Sequence, residues 1–226
     1  MIRQTDLANF SWPNSIAAAK TLQLQLRDAV IINDPSCMPE FKTVAGVDVA
    51  FRENGAVTFA AVVVMGFPEC EILEQVTAQV PTNFPYVPGY LSFRELPAIL
   101  EAWRKLSLQP DFMMCDGQGI AHPRKFGLAC HLGVLLDIPS VGVAKNRLVG
   151  EALEPGIAKG QKQPLDYNGE QVGWVLRSRK GVKPLFVSPG HKMAMATSVN
   201  LVESCCLKYR LPEPTRIADK LSKTRT

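Results

Sequence analysis

The sequence predicts an α/β fold in which helices flank one mixed β-sheet. Three strand-like segments follow one another with short turns between them, which indicates antiparallel pairing. A helix, strand, helix, strand alternation comes next, which indicates a parallel pair joined by a crossover. We expect one domain over residues 1–226, because no repeat, low-complexity stretch or linker divides the chain.

The first half of the predicted fold is a helix followed by three strands. Apolar residues recur at helical spacing over 14–32. β-Branched residues mark strands at 42–51, 56–67 and 71–80. The connections between these strands are too short for a crossover, so they predict hairpins.

The second half of the predicted fold alternates helices with buried strands. A helix is expected over 92–106, and Pro97 argues that it starts late, with the ring in the first turn. The remaining elements are a strand at 110–115, a helix at 126–136, strands at 139–144, 172–178 and 184–188, and a helix at 192–208, before a polar, basic tail from Arg210.

Composition places the chain among soluble globular proteins, since 46% of its residues are hydrophobic and 20% are charged. A net charge of +4 is compatible with a polyanionic partner but does not establish one. The longest apolar run, 56–67, is too short to span a bilayer, and no signal peptide is evident. We therefore expect a cytoplasmic protein without a membrane partner. The six cysteines form no Cys-x-x-Cys pair, which favours reduced, mostly buried thiols.

Three acids stand where a metal ion could bind. Asp48 lies inside the apolar run VAGVDVAF, and Asp116 ends a buried strand and opens Asp-Gly-Gln-Gly. If the two strands are neighbours, these carboxylates face each other and repel unless a cation lies between them. Glu95 follows in Ser-Phe-Arg-Glu. Each has a plainer interpretation: Asp48 on the polar face of a strand, Asp116 in a turn, and Glu95 in a helix capping box.

Basic residues lie near the same predicted sheet edge. Lys145 ends the strand PSVGVA, where a lysine can stabilise charge on a phosphate. Arg94 could pair with a phosphate or a carboxylate, and Arg124 and Arg147 add positive potential. The alternative is that each is a solvated surface charge.

Two further side chains have a functional and a structural interpretation. His191 follows Ser-Pro-Gly and could be a metal ligand, a proton shuttle, a phosphate contact or a solvated turn residue. Tyr86 lies in the proline-stiffened loop FPYVPGY. A rigid aromatic tip can wedge into a base stack, although local packing against proline would also explain it.

These segments resemble the endonuclease V family of the ribonuclease H-like superfamily. The matching motifs are AGVDVAF around Asp48, PYVPGYLSFRE ending at Glu95, DGQGIAHPRKFGLA from Asp116, IPSVGVAKNRL through Lys145, and SPGHK at His191. LPEPTRIAD resembles bacterial members, and the likeness covers nearly the whole chain. The order of the motifs also matches the family.

The resemblance implies a ribonuclease H-like sheet of three antiparallel strands extended by parallel ones. It implies that Asp48, Glu95 and Asp116 hold Mg²⁺, for which Mn²⁺ can substitute, and that Lys145 and His191 assist catalysis. The implied reaction is repair of DNA containing deoxyinosine. The second phosphodiester bond 3′ to the lesion is hydrolysed, which leaves 3′-hydroxyl and 5′-phosphate ends.

The resemblance also implies how DNA is held. Tyr86 would belong to a wedge that replaces the lesion in the duplex. The remaining implied contacts are a hypoxanthine pocket at Gly89, Gly117, Gly119, His122 and Leu148, and phosphate contacts at Arg94, Arg124 and Arg147. A monomer is expected. Gln118 stands where many relatives carry histidine or another polar residue, so metal affinity or pH dependence could differ.

Three alternatives stay open at this point. A related nuclease could act on inosine in RNA or on branched DNA, because the 2′-hydroxyl contact cannot be read from sequence. A catalytically silent nucleic-acid binding protein is disfavoured, because carboxylates near phosphates weaken pure binding. A small-molecule α/β enzyme lacks support, since no Walker, Gly-x-Gly-x-x-Gly or Gly-x-Ser-x-Gly motif occurs.

Overall fold

A computed structural model describes residues 10–34 and 40–224 of the chain. The helices over this part are α1 (Ile16–Arg27), α2 (Leu91–Trp103), α3 (Leu128–Leu136), α4 (Met195–Ser204) and α5 (Glu213–Ser222). The strands are β1 (Thr43–Arg52), β2 (Val57–Gly66), β3 (Ile72–Pro81), β4 (Phe112–Cys115), β5 (Ser140–Ala144), β6 (Lys162–Tyr167), β7 (Glu170–Leu176) and β8 (Leu185–Pro189).

The strands form one mixed sheet in the order β3-β2-β1-β4-β5-β8-β7-β6. The first three strands are antiparallel, as their short connections predicted. β4 and β5 extend them in parallel with β1, and the remaining pairings are antiparallel. The predicted mixed α/β sheet flanked by helices is therefore confirmed.

Both faces of the sheet are covered, which explains why its central strands are apolar throughout. In β4, Phe112 and Met114 belong to a core cluster that includes Val202 of α4 and Ala218 of α5. Met113 and Cys115 point the other way, into a cluster shared with α2 and α3. The central strand is thus buried between two helical layers, as expected for parallel strands.

Two sequence-based expectations about helices were wrong. α2 begins at Leu91, so Pro97 lies well inside it, not in its first turn. Most of this helix is buried, and that packing outweighs the hydrogen bond that proline cannot donate. The tail expected from Arg210 contains helix α5, which packs against β1.

A glycine in β1 allows α5 to approach the sheet. A Cβ built on Gly46 would lie 2.0 Å from the carbonyl oxygen of Pro214 in the first turn of α5. No side chain fits in that space, so the absence of a Cβ sets how closely the helix can lie on the strand.

The cysteine and membrane expectations are tested over the described residues. The thiols of Cys70, Cys115, Cys130, Cys205 and Cys206 are free and buried, as predicted, while Cys37 lies outside the described residues. Across the same ranges, we find no helix with the length and apolar character needed to cross a membrane.

Candidate metal centre and adjoining cavity

Three aspartates meet at one edge of the sheet. Asp48 lies in β1 and Asp116 directly follows β4, and the parallel register of Val47 with Cys115 places the two aspartates side by side. Asp219 reaches the same point from α5. One carboxylate oxygen from each residue lies within 4.8 Å of the others. Close carboxylates of this kind are suited to a shared divalent cation.

The carboxyl group of Asp48 is held and partly buried. Burial, together with the charges of Asp116 and Asp219, raises its pKa to about 6 against the opposing effects of a hydrogen bond from Ser222 and the charge of Lys145. The Ser222 hydroxyl donates to Oδ2 of Asp48 at 2.6 Å. Helix α5 therefore supplies the third carboxylate, that of Asp219, and the hydroxyl of Ser222 that holds the carboxylate of Asp48 in place.

Lys145 neutralises part of the negative charge at this edge. Its Nζ lies 2.5 Å from Oδ2 of Asp116 and 3.0 Å from Oδ1 of Asp219. Burial lowers the pKa of Lys145, but the bonds to the two aspartates outweigh burial and leave it raised. The side chain therefore stays an ammonium between the two carboxylates.

Glu95 lies beside this cluster without completing it. Its side chain is 6% exposed, and burial followed by the charges of Asp48 and Asp116 holds its pKa well above the usual range. Its oxygens are not among those that meet within 4.8 Å. The predicted set of Asp48, Glu95 and Asp116 is thus brought together only in part, and Asp219 supplies the third close carboxylate.

The donor chemistry fits a hard divalent ion. Asp48, Asp116 and Asp219 present charged oxygens, which Mg²⁺ and Mn²⁺ prefer, and the described residues place no thiol or imidazole in this group. The electrostatics agree, since burial and then the charges of neighbouring carboxylates raise the pKa values of Asp48 and Glu95, and a cation would offset that negative charge.

Sequence reasoning missed Asp219 and Ser222. Both lie in the tail that was expected to be merely polar and basic. A signal was present: Ile217, Ala218 and Leu221 give an apolar stripe at helical spacing, with the two polar residues beside it.

His191 does not lie at this site, which corrects the expectation that it adjoins the metal. Its backbone N–H donates to the hydroxyl of Ser140 at 2.9 Å, at the start of β5, whereas Lys145 follows the end of that strand. That separation is roughly 17 Å along the strand. The ring of His191 instead contacts Asp137 at 3.3 Å and accepts from the Ile31 N–H at 3.3 Å.

A cavity of about 340 Å³ opens beside Asp116. It is lined by residues 86–89, 91–92, 116–118, 122, 126–128 and 144–148. Four of the predicted pocket residues lie on this lining, namely Gly89, Gly117, His122 and Leu148. The volume lies in the range that small-ligand sites occupy.

Gly119 is not on the lining, contrary to expectation. A Cβ on this residue would lie 2.0 Å from the carbonyl oxygen of Pro189, so the glycine permits close packing against β8. Its N–H donates to the Ser188 hydroxyl at 2.8 Å. The role of Gly119 in the structure is to let this loop lie on the neighbouring strand.

Gly89 anchors the aromatic loop at the mouth of the cavity. Its carbonyl oxygen accepts from Gln23 Nε2 at 3.1 Å and from the Arg124 guanidinium at 2.5 Å, and it lies 3.0 Å from His122 Nε2. Burial, and then the charge of Arg124, lowers the pKa of His122 to about 4, so this imidazole is neutral. Tyr86 projects from the loop with 70% of its surface exposed.

The predicted phosphate contacts have different environments. Arg94 donates to the carbonyl oxygens of Phe84 and Gly55, and Arg124 is committed to the Gly89 network. These two guanidinium groups therefore hold loops in place. Arg147 is exposed on the lining of the cavity.

Comparisons with known proteins agree on one family. The endonuclease V family model matches residues 24–220. The endonuclease V of Nostoc punctiforme is 53% identical over 94% of this chain and 96% of its own, and that of Azotobacter vinelandii is 48% identical over 95% and 96%. The crystal structure of the Streptomyces avermitilis endonuclease V superposes with a TM-score of 0.89 at 42% identity, covering 94% of this chain and 93% of that one.

A further solved relative contains nucleic acid. A Ciona intestinalis endonuclease V in complex with a 24mer DNA containing an inosine followed by a ribo-adenosine superposes with a TM-score of 0.80 at 30% identity. The match covers 92% of this chain and 96% of that one.

Proposed function

This chain belongs to the endonuclease V family, and on that premise we propose that it recognises deoxyinosine in DNA. The proposed reaction is hydrolysis of the second phosphodiester bond 3′ to the lesion, leaving 3′-hydroxyl and 5′-phosphate ends. The observation that carries the proposal is the position of the three aspartates, directly beside a cavity of a size suited to a base.

Asp48, Asp116 and Asp219 are the residues that would hold Mg²⁺, or Mn²⁺ in its place. A bound ion of this kind lowers the pKa of a water molecule and neutralises charge on a phosphate. In this assignment Glu95, buried beside the aspartates, would orient the attacking water. The ammonium group of Lys145 lies between Asp116 and Asp219. It can stabilise the negative charge that develops on the phosphate in the transition state.

The cavity and its mouth would receive the base and the strand. A base must leave the stack to enter a cavity of this kind, and the exposed ring of Tyr86 can fill the space it vacates. Arg147, on the lining and open to solvent, is the predicted phosphate contact that remains available.

A strand with a ribonucleotide after the lesion is the second candidate substrate. The Ciona intestinalis relative was solved with DNA in which a ribo-adenosine follows the inosine. Because a 2′-hydroxyl beside the cut offers one further polar contact, we propose that a ribonucleotide at that position is also accepted.

The test is a nicking assay on end-labelled duplexes with one deoxyinosine, one deoxyinosine followed by a ribonucleotide, or adenine at the same place. We expect Mg²⁺-dependent cleavage at the second bond 3′ to either lesion, and none of the adenine duplex. Cleavage of all three at one rate, or cleavage unaffected by chelation of the metal, would refute the proposal.

A further inference from the structure

The side chain of Gln118 is an unexplained polar group on the lining of the cavity. It is 8% exposed and lies two residues after Asp116. Its Oε1 is buried and has no hydrogen-bond partner among the residues that the structure describes. A buried acceptor left without a donor is costly, and such groups are uncommon in folded proteins.

The orientation of the Gln118 amide follows from its other contact. Nε2 donates to the carbonyl oxygen of Asn146 at 3.0 Å. A carbonyl oxygen can only accept, so the nitrogen must face Asn146 and the oxygen must face away from it. The contact thereby fixes which atom is left without a partner.

The backbone at Gln118 is equally well held. Its carbonyl oxygen accepts from the Ala129 N–H at 3.0 Å, and the next residue donates to Ser188. With both its backbone and its amide nitrogen engaged, the side chain has little freedom to turn Oε1 elsewhere. The side chain that carries the unpartnered oxygen is therefore held in place on the lining of the cavity.

A fixed acceptor distinguishes bases by the atom they present. Hypoxanthine carries a hydrogen on N1, whereas adenine presents a lone pair at that position. A hydrogen-bond acceptor at this position attracts the N1–H of hypoxanthine and repels the N1 lone pair of adenine. A site that pairs with a donor on its substrate strongly rejects an analogue without that donor.

We propose that Gln118 is a specificity-determining residue, whose Oε1 accepts a hydrogen bond from N1–H of the base in the cavity. This inference rests on the proposed function, because it assigns one contact within the same site. It would account for a buried oxygen that the fold itself leaves unused.

The test compares two bases in two proteins. Duplexes carry deoxyinosine or deoxynebularine, a purine that lacks both N1–H and O6, and cleavage is measured in single turnover with excess protein. The variants are Gln118→Leu and Gln118→Met, which remove the acceptor at similar size. Deoxynebularine lacks O6 in every assay, so that loss affects the unaltered protein and the variants equally. The ratio of the cleavage rates on deoxyinosine and deoxynebularine therefore isolates the contact with residue 118.

We expect each variant to cleave deoxyinosine about tenfold more slowly while its rate on deoxynebularine stays level or rises. Gln75→Leu, on the exposed side of β3, is the matched control and should keep both rates. Melting temperatures identify the folded variants, and Gln118→Met replaces Gln118→Leu if the branched side chain prevents folding.

An inosine-to-nebularine ratio within about twofold of that of the unaltered protein, in a folded variant, would overturn the inference. Failure of the proposed function looks different, since the unaltered protein would then not nick the inosine strand at all. The two results are read from separate lanes of one experiment.

Discussion

At the scale of single residues, Asp219 is ionised and poised to share a cation. Burial raises its pKa, but hydrogen bonds from Lys223 and Lys145 outweigh burial and leave the pKa below its ordinary value. Their distances to its carboxylate are 2.7 Å and 3.0 Å. Asp219 is therefore negative in the range where Asp48 still takes up protons.

We predict that Asp219→Asn removes the gain in melting temperature that Mg²⁺ gives the unaltered protein. Cleavage of the inosine strand should fall at least about a hundredfold, which corresponds to about 3 kcal/mol of lost stabilisation. Thermal melting with and without Mg²⁺ and single-turnover nicking measure the two effects.

Asp137→Asn is the control for that substitution, because Asp137 pairs with His191 and Lys192 at the opposite edge of the sheet. It should nick at close to the normal rate. If the Asp137 variant lost Mg²⁺-dependent nicking and the Asp219 variant kept it, the metal centre would be assigned to the wrong edge.

The residues that sequence predicted at the site share a property. Asp48 and Asp116 interrupt apolar strands, where a charge is costly enough to demand a reason. Asp219 stands among Lys220, Lys223 and other polar residues, where an acid needs no explanation. Its role depends on packing against a strand about 170 residues earlier, and the apolar stripe beside it indicates a packed helix without indicating which strand that helix contacts.

At the scale of elements, α5 is what completes the acidic cluster. Its apolar stripe packs on the sheet, while Asp219 and Ser222 reach the carboxylate of β1. The hairpin strands could be predicted closely, because alternation and turn residues are local. The docking of α5 could not, because it depends on the space above Gly46.

We predict that Gly46→Ala destabilises the protein by about 1–3 kcal/mol, since the new methyl group collides with backbone that cannot move aside alone. Urea unfolding measures the change. If α5 shifts instead of unfolding, Mg²⁺ stabilisation should weaken in the same variant.

Gly156→Ala is the matched control, because the atoms nearest to a Cβ there belong to the flexible side chain of Gln161. Its unfolding free energy should stay within about 0.5 kcal/mol of the starting value. If both substitutions lowered the unfolding free energy equally, the close approach of α5 would not be the reason for a glycine at position 46.

At the scale of the whole molecule, the acidic edge makes stability depend on pH. Burial and neighbouring carboxylates raise the pKa of Asp48 to about 6 and that of Glu95 well above its ordinary value. Asp48 and Glu95 thus bind more protons in the folded protein than in the unfolded chain between about pH 4 and pH 6. Without a divalent ion, the stability that these two groups contribute should fall as pH rises through that window, whereas the buried histidines, whose pKa values burial lowers, contribute in the opposite direction.

We predict that Mg²⁺ stabilises the protein more at pH 7.5 than at pH 5. At the lower pH the ion must displace a proton from Asp48, and at the higher pH it relieves repulsion between carboxylates. Melting temperatures at both values, with Mg²⁺ or with a chelator, measure the difference. An equal increment at the two pH values would contradict the assignment, and Asp48→Asn should abolish the increment at both.

The late position of Asp219 in the chain has a consequence during synthesis. It follows every strand of the described sheet, so a ribosome delivers Asp48 and Asp116 long before their companion. The cluster of three carboxylates is thus complete only after the last described helix, α5, has emerged from the ribosome.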